Sequence, residues 1–135
     1  MRTAVDTSAL LAIVLGESNA EAWLSLLARC RDEGDLICCE IVLAELAPVF
    51  GSHAALDARL EDLGVRMLPC TAESAFLAGR IFAQYRKLGG PRTHIIPDFL
   101  IGAHASLQAN RLLAADRGYL RRFFARLPVL APPAG

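Results

Sequence analysis

Five short apolar runs punctuate the chain: "TAVD" at 3–6, "DLICC" at 35–39, "VRMLPC" at 65–70, "RLLAAD" at 111–116 and a weaker "LPVLAP" at 127–132. Between them, apolar residues recur at helical spacing over 18–31, 40–50, 56–63, 72–87, 99–109 and 117–124. A strand ending at Val5 with a helix beginning near Ser8 is also expected, because Asp, Thr and Ser at 6–8 are helix-capping residues. Each helix carries the chain back, so successive strands run the same way. The alternation therefore predicts an α/β fold, a mainly parallel sheet covered on both faces with right-handed crossovers. In such sheets, sites form at the carboxyl ends of the strands.

At 135 residues and 54% hydrophobic content, the chain is expected to form one domain over 1–135. That length buries roughly two-thirds of the unfolded chain's surface, so no metal or disulfide is needed to hold it together. Cys30, Cys38, Cys39 and Cys70 have neither C-x-x-C nor metal-finger spacing and read as reduced core residues of a cytoplasmic protein. No run approaches the eighteen or so apolar residues of a membrane span, and Asp6 spoils the start as a signal peptide, so no membrane partner is expected. The Gly/Pro-rich "LGGPRTHIIP" at 88–97 reads as a loop between two helices with Arg92 and His94 on its surface.

A net charge of zero conceals an asymmetry. Residues 1–75 hold five Arg against twelve acids, a balance of −7, whereas 76–135 hold nine Arg and Lys against two acids, a balance of +7. The basic C-terminal part suits a polyanion. Its two acids, Asp98 and Asp116, therefore need a reason.

Asp6 and Asp116 end two strands, which in a parallel sheet brings them to one edge. Glu45 sits in "IVLAELAPVF" with apolar flanks that read as buried, and a lone buried carboxylate is costly without a cation. Asp98 follows Pro97 ahead of an apolar helix. Separate helix caps explain the three Asp but not Glu45. One site for a hard divalent ion such as Mg²⁺ or Mn²⁺, which takes oxygen ligands and retains waters, explains all four. Histidine ligation fits less well, because His53, His94 and His104 are scattered and His104 points away from Asp98 on its helix.

The stretches "AVDTSALLA", "VLAEL", "PDFLIGAHA" and "LLAADRGYLRRFF", in this order, together with "YRKLGGPR", resemble the PIN-domain ribonucleases, most of all the VapC-type toxins of bacterial toxin–antitoxin pairs. The likeness spans almost the whole chain. It implies a three-layer α/β/α PIN-like fold with a central parallel sheet, expected here to have four to five strands, and Mg²⁺-dependent endonucleolytic cleavage of RNA. Its acidic quartet falls on Asp6, Glu45, Asp98 and Asp116, and the hydroxyl beside the first Asp falls on Ser8. Two departures stand out. Ala114-Ala115 occupies the place of a common Thr-Arg, leaving Asp116 without that hydroxyl and the level of activity open, and Glu40 replaces a Ser or Thr. Glu40 reads as a first-turn helix residue rather than a fifth ligand.

On this reading, Asp6 and Asp98 are the closest metal ligands, and Glu45 and Asp116 complete the site directly or through water. Ser8 orients a carboxylate or a water; no nearby His or Lys is evident to make it a nucleophile. Arg117, Arg121 and Arg122 are candidates for holding backbone phosphates, against the alternative of a solvated helix face. Competing enzyme classes lack their marks: no D-x-D follows Val5, the single Lys87 lies away from the strand ends, and no G-x-x-x-x-G-K occurs. The remaining alternative is a non-catalytic PIN-like module that binds RNA or a partner. The resemblance further implies a cognate antitoxin and a homodimer, with Trp23, Leu24 and Leu27 as candidates either for a partner groove or for packing on the sheet.

Overall fold

In a computed structural model, which describes residues 1–89, 95–115 and 118–133, the strands are β1 (Arg2–Val5), β2 (Asp35–Cys38), β3 (Val65–Met67), β4 (Arg111–Leu113) and β5 (Val129–Leu130). All four pairings are parallel and the order is β3-β2-β1-β4-β5. The helices are α1 (Thr7–Val14), α2 (Ala20–Glu33), α3 (Glu40–Leu46), α4 (His53–Leu63), α5 (Ala72–Lys87), α6 (Ile96–Gln108) and α7 (Gly118–Phe123). The expected three-layer sheet of four to five strands is thus present with five.

Right-handed crossovers put α1 to α4 on one face, since β1, β2 and β3 step in one direction, and α5 to α7 on the other. Covered on both sides, the strands need no polar alternation: Thr3, Ala4 and Val5 are all at most 2% exposed. Under the second layer lies an aromatic cluster. Phe99, fully buried, has ring centroids of Tyr85, Phe82 and Tyr119 at 5.2, 5.4 and 5.6 Å. Gly102, one turn on, lets Phe124 approach so closely that a Cβ would sit 2.5 Å from its ring. α6 is therefore seated tightly from its first turn.

Several boundaries differ from the sequence reading. The 40–50 helix stops at Leu46, and Pro48 converts the remainder into a 3₁₀ turn over Ala47–Val49. α6 begins at Ile96 rather than Phe99, because Pro97 is well tolerated in a first turn. Asp98 is consequently not an N-cap; it occupies the third helical position, where its Oδ2 accepts the Ile95 N–H at 3.1 Å. Trp23 and Leu27 are 4% and 1% exposed and belong to the core, leaving only Leu24 of that stripe exposed, so it forms no partner groove. Arg92 and His94 lie outside the described residues.

Candidate active site

The strand order sets the location. β1 is followed by β2 on one side while β4 flanks it on the other, so the crossovers diverge from a crevice between β1 and β4 at their carboxyl ends. Asp6 stands there, one residue past β1, with its N–H donating to Leu113 O of β4 at 2.8 Å. It is 8% exposed and caps α1, as its extended backbone and the Ser8 N–H at 3.2 Å require. Capping and site membership are therefore compatible. Ser8 Oγ also donates to the same Oδ2, at 2.5 Å, and accepts the Ala115 N–H at 3.1 Å. Its hydroxyl ties the first carboxylate to the backbone just ahead of Asp116. Ala114, where the resemblance expects a Thr, is buried at 1%.

Glu45 differs from expectation. It is exposed, not buried: α3 turns Val42 and Leu46 into the core, while Ala44 and Ala47, read as buried flanks, face outward with it. The argument from a costly buried Glu falls away, and a specific contact replaces it. Thr7 Oγ1 donates to Glu45 Oε1 at 2.7 Å, across 38 positions of sequence. Thr7, 8% exposed and adjacent to Asp6, reads in the sequence only as a capping residue, because nothing local signals a partner so far away.

Asp98, half-buried, lies in the first turn of α6, beside the buried Phe99. Asp116 and Arg117 lie outside the described residues. Arg121 and Arg122 are exposed on α7, with the Arg122 guanidinium 5.3 Å from the Phe123 ring centroid. His104 takes a structural role: it is 1% exposed and its Nε2 lies 2.8 Å from Leu68 O. Burial holds its pKa below the ordinary value, partly opposed by that bond and by Glu40. His53 is exposed, 3.4 Å from Asp57.

The residues suit a hard cation. Asp6 is a nearly buried carboxylate with no basic partner among the described residues, and its neighbours in the cleft supply only oxygen donors. Asp6, Glu45 and Asp98 do not close into a tight trio among the described residues.

Residues 3–124 match the family described as PIN domain. The chain belongs to the PIN domain family. Solved structures agree on the fold. VapBC2 from Rickettsia felis, bound to a promoter DNA fragment, is 20% identical with a TM-score of 0.75, over 98% of this chain and 100% of that one. VapBC-1 from nontypeable Haemophilus influenzae is 20% identical with a TM-score of 0.70, over 97% and 98%. VapC20 from Mycobacterium tuberculosis, a Sarcin-Ricin loop cleaving toxin, is 21% identical with a TM-score of 0.63, over 97% and 99%. A search of curated proteins finds no match to this PIN sequence. Among the described residues, no single helix is long and apolar enough to cross a membrane.

Proposed function

We propose that this PIN domain protein is a Mg²⁺-dependent endoribonuclease and the toxin of a type II toxin–antitoxin pair, with Mn²⁺ able to substitute. The observation that carries the reading is the Asp6 crevice: a nearly buried carboxylate at the topological switch point, bound by Ser8 and flanked by a Thr7-held Glu45, in a PIN fold. Asp6, Glu45, Asp98 and Asp116 hold the cation, Asp6 and Asp98 most closely. When bound, the ion lowers the pKa of water and neutralises charge on the phosphodiester. Thr7 fixes the Glu45 carboxylate, Ser8 fixes that of Asp6, and Arg117, Arg121 and Arg122 hold backbone phosphates of the RNA. The chain works in the cytoplasm as one catalytic domain over 1–135, pairs as a homodimer and is restrained by a cognate antitoxin. The similar folds solved as VapBC complexes support the partner, and the cleaving toxin VapC20 supports the activity.

The toxin role is tested by growth. Expression of the chain alone slows growth, co-expression of the protein encoded next to it restores growth, and Asp98→Asn is harmless while still binding that partner. A folded, well-expressed wild-type chain that leaves growth unchanged contradicts the toxin role.

A further inference from the structure

The sheet edge that carries Asp6 holds a second set of donors, beside β2 and β3 rather than β1 and β4. Cys39 follows β2, Glu40 opens α3, and Cys70 lies on the segment from β3 to α5. One Sγ from each cysteine and a Glu40 carboxylate oxygen lie within 4.8 Å of one another. Among the described residues this is the only such trio of His, Cys, Asp or Glu. It is graded from inside to outside: Cys39 is 1% exposed, Cys70 half-buried and Glu40 exposed, so the pair of sulfurs has a path to solvent.

The segment presenting Cys70 is held at every residue. The Leu68 N–H donates to Cys38 O at 2.8 Å, and Leu68 O meets His104 Nε2. Gln108 Nε2 donates to Pro69 O at 2.9 Å, while its Oε1 accepts the Thr71 N–H at 3.0 Å. The Cys70 N–H donates to the Glu40 carboxylate at 3.0 Å. A loop pinned in this way presents its thiol in a fixed position, so little order remains to be imposed on binding.

We propose that Cys39, Glu40 and Cys70 form a binding site for a thiophilic divalent cation of the Zn²⁺ class, with a fourth position open to water. Two thiolates select such an ion over Mg²⁺, so the site is chemically separate from the Asp6 crevice. At Zn–S bonds of about 2.3 Å, tetrahedral ligands stand roughly 3.8 Å apart, a spacing compatible with donor atoms that lie within 4.8 Å of one another. Burial raises the pKa of Cys39; burial and the Glu40 carboxylate raise that of Cys70. Cysteine thiols are ordinarily protonated at neutral pH, so each ion bound by two thiolates releases two protons to the buffer.

The test titrates Co²⁺ into the reduced chain and follows the thiolate-to-cobalt charge-transfer band. The wild type gives one band-forming equivalent per chain, displaced by Zn²⁺ but not by excess Mg²⁺, with two protons released. Cys70→Ser, at a half-buried position that tolerates the change, weakens binding by at least about 100-fold, more than loss of an outer-shell partner does. Cys30→Ser and Asp98→Asn leave the band unchanged, the latter separating this site from the acidic crevice. No charge-transfer band in the wild type, a band that survives Cys70→Ser, or a Cys39–Cys70 disulfide in place of metal binding overturns the proposal.

Discussion

Removing the Thr7 hydroxyl while keeping the side chain's shape, as in Thr7→Val, leaves the exposed Glu45 carboxylate without its 2.7 Å donor. Water replaces the bond, so stability changes by about 1 kcal/mol or less, but the carboxylate is no longer aimed. RNA cleavage should fall by about 10- to 100-fold, the usual penalty for losing a support behind a metal ligand, while Thr7→Ser keeps most of it. Cleavage at the wild-type rate by a folded Thr7→Val chain contradicts the positioning role. At this scale the sequence was partly legible. Asp6 and Ser8 announced themselves as polar residues at a strand end, and their mutual bond is local. Thr7 was legible only as a capping residue, because its partner Glu45 lies on another helix. Glu45 was singled out for burial it does not have, since seven residues of α3 leave only Val42 and Leu46 inward.

Among the elements, α6 does most to organise the molecule: its first turn carries Asp98, its middle packs Phe99 and Gly102, and its far end holds the loop after β3 through His104 and Gln108. Burial keeps His104 neutral in the fold, with its pKa below the unfolded value. Between the unfolded value, about pH 6.5, and the lower folded one, the unfolded chain binds the extra proton. This contribution to stability is therefore complete above the unfolded pKa and is lost as pH falls through that window. The urea midpoint should drop on acidification from pH 7.5 to 5.5, and His104→Gln should flatten that slope; an unchanged slope in the variant contradicts the assignment. The helical spacing gave α5 to the residue. It missed the start of α6 because Pro97 reads as a breaker although a first turn accepts it, and the end of α3 because apolar spacing runs on through Pro48.

At the scale of the whole molecule, the alternation of apolar runs sufficed to predict a parallel sheet, but not the order β3-β2-β1-β4-β5. That order depends on which strands pair across long stretches of chain, and it creates the crevice beside Asp6. The charge asymmetry between the two parts of the chain acts at the same scale: Arg80, Arg86, Lys87, Arg121 and Arg122 lie on α5 and α7, a distribution that suits a polyanion. On the proposed function, the crevice beside Asp6 cuts RNA through a cation held by carboxylates. Asn caps a helix as well as Asp does, so Asp6→Asn removes the charge while keeping α1 in place; Asp98→Asn removes charge from the first turn of α6. The most direct measurement is cleavage of total RNA by the purified chain, with and without EDTA, beside these two variants at matched circular dichroism. Cleavage by the wild type is expected, stopped by EDTA and restored by added Mg²⁺ or Mn²⁺, with none by either variant; wild-type cleavage by Asp6→Asn or Asp98→Asn, or activity untouched by EDTA in metal-free buffer, would overturn the proposed function.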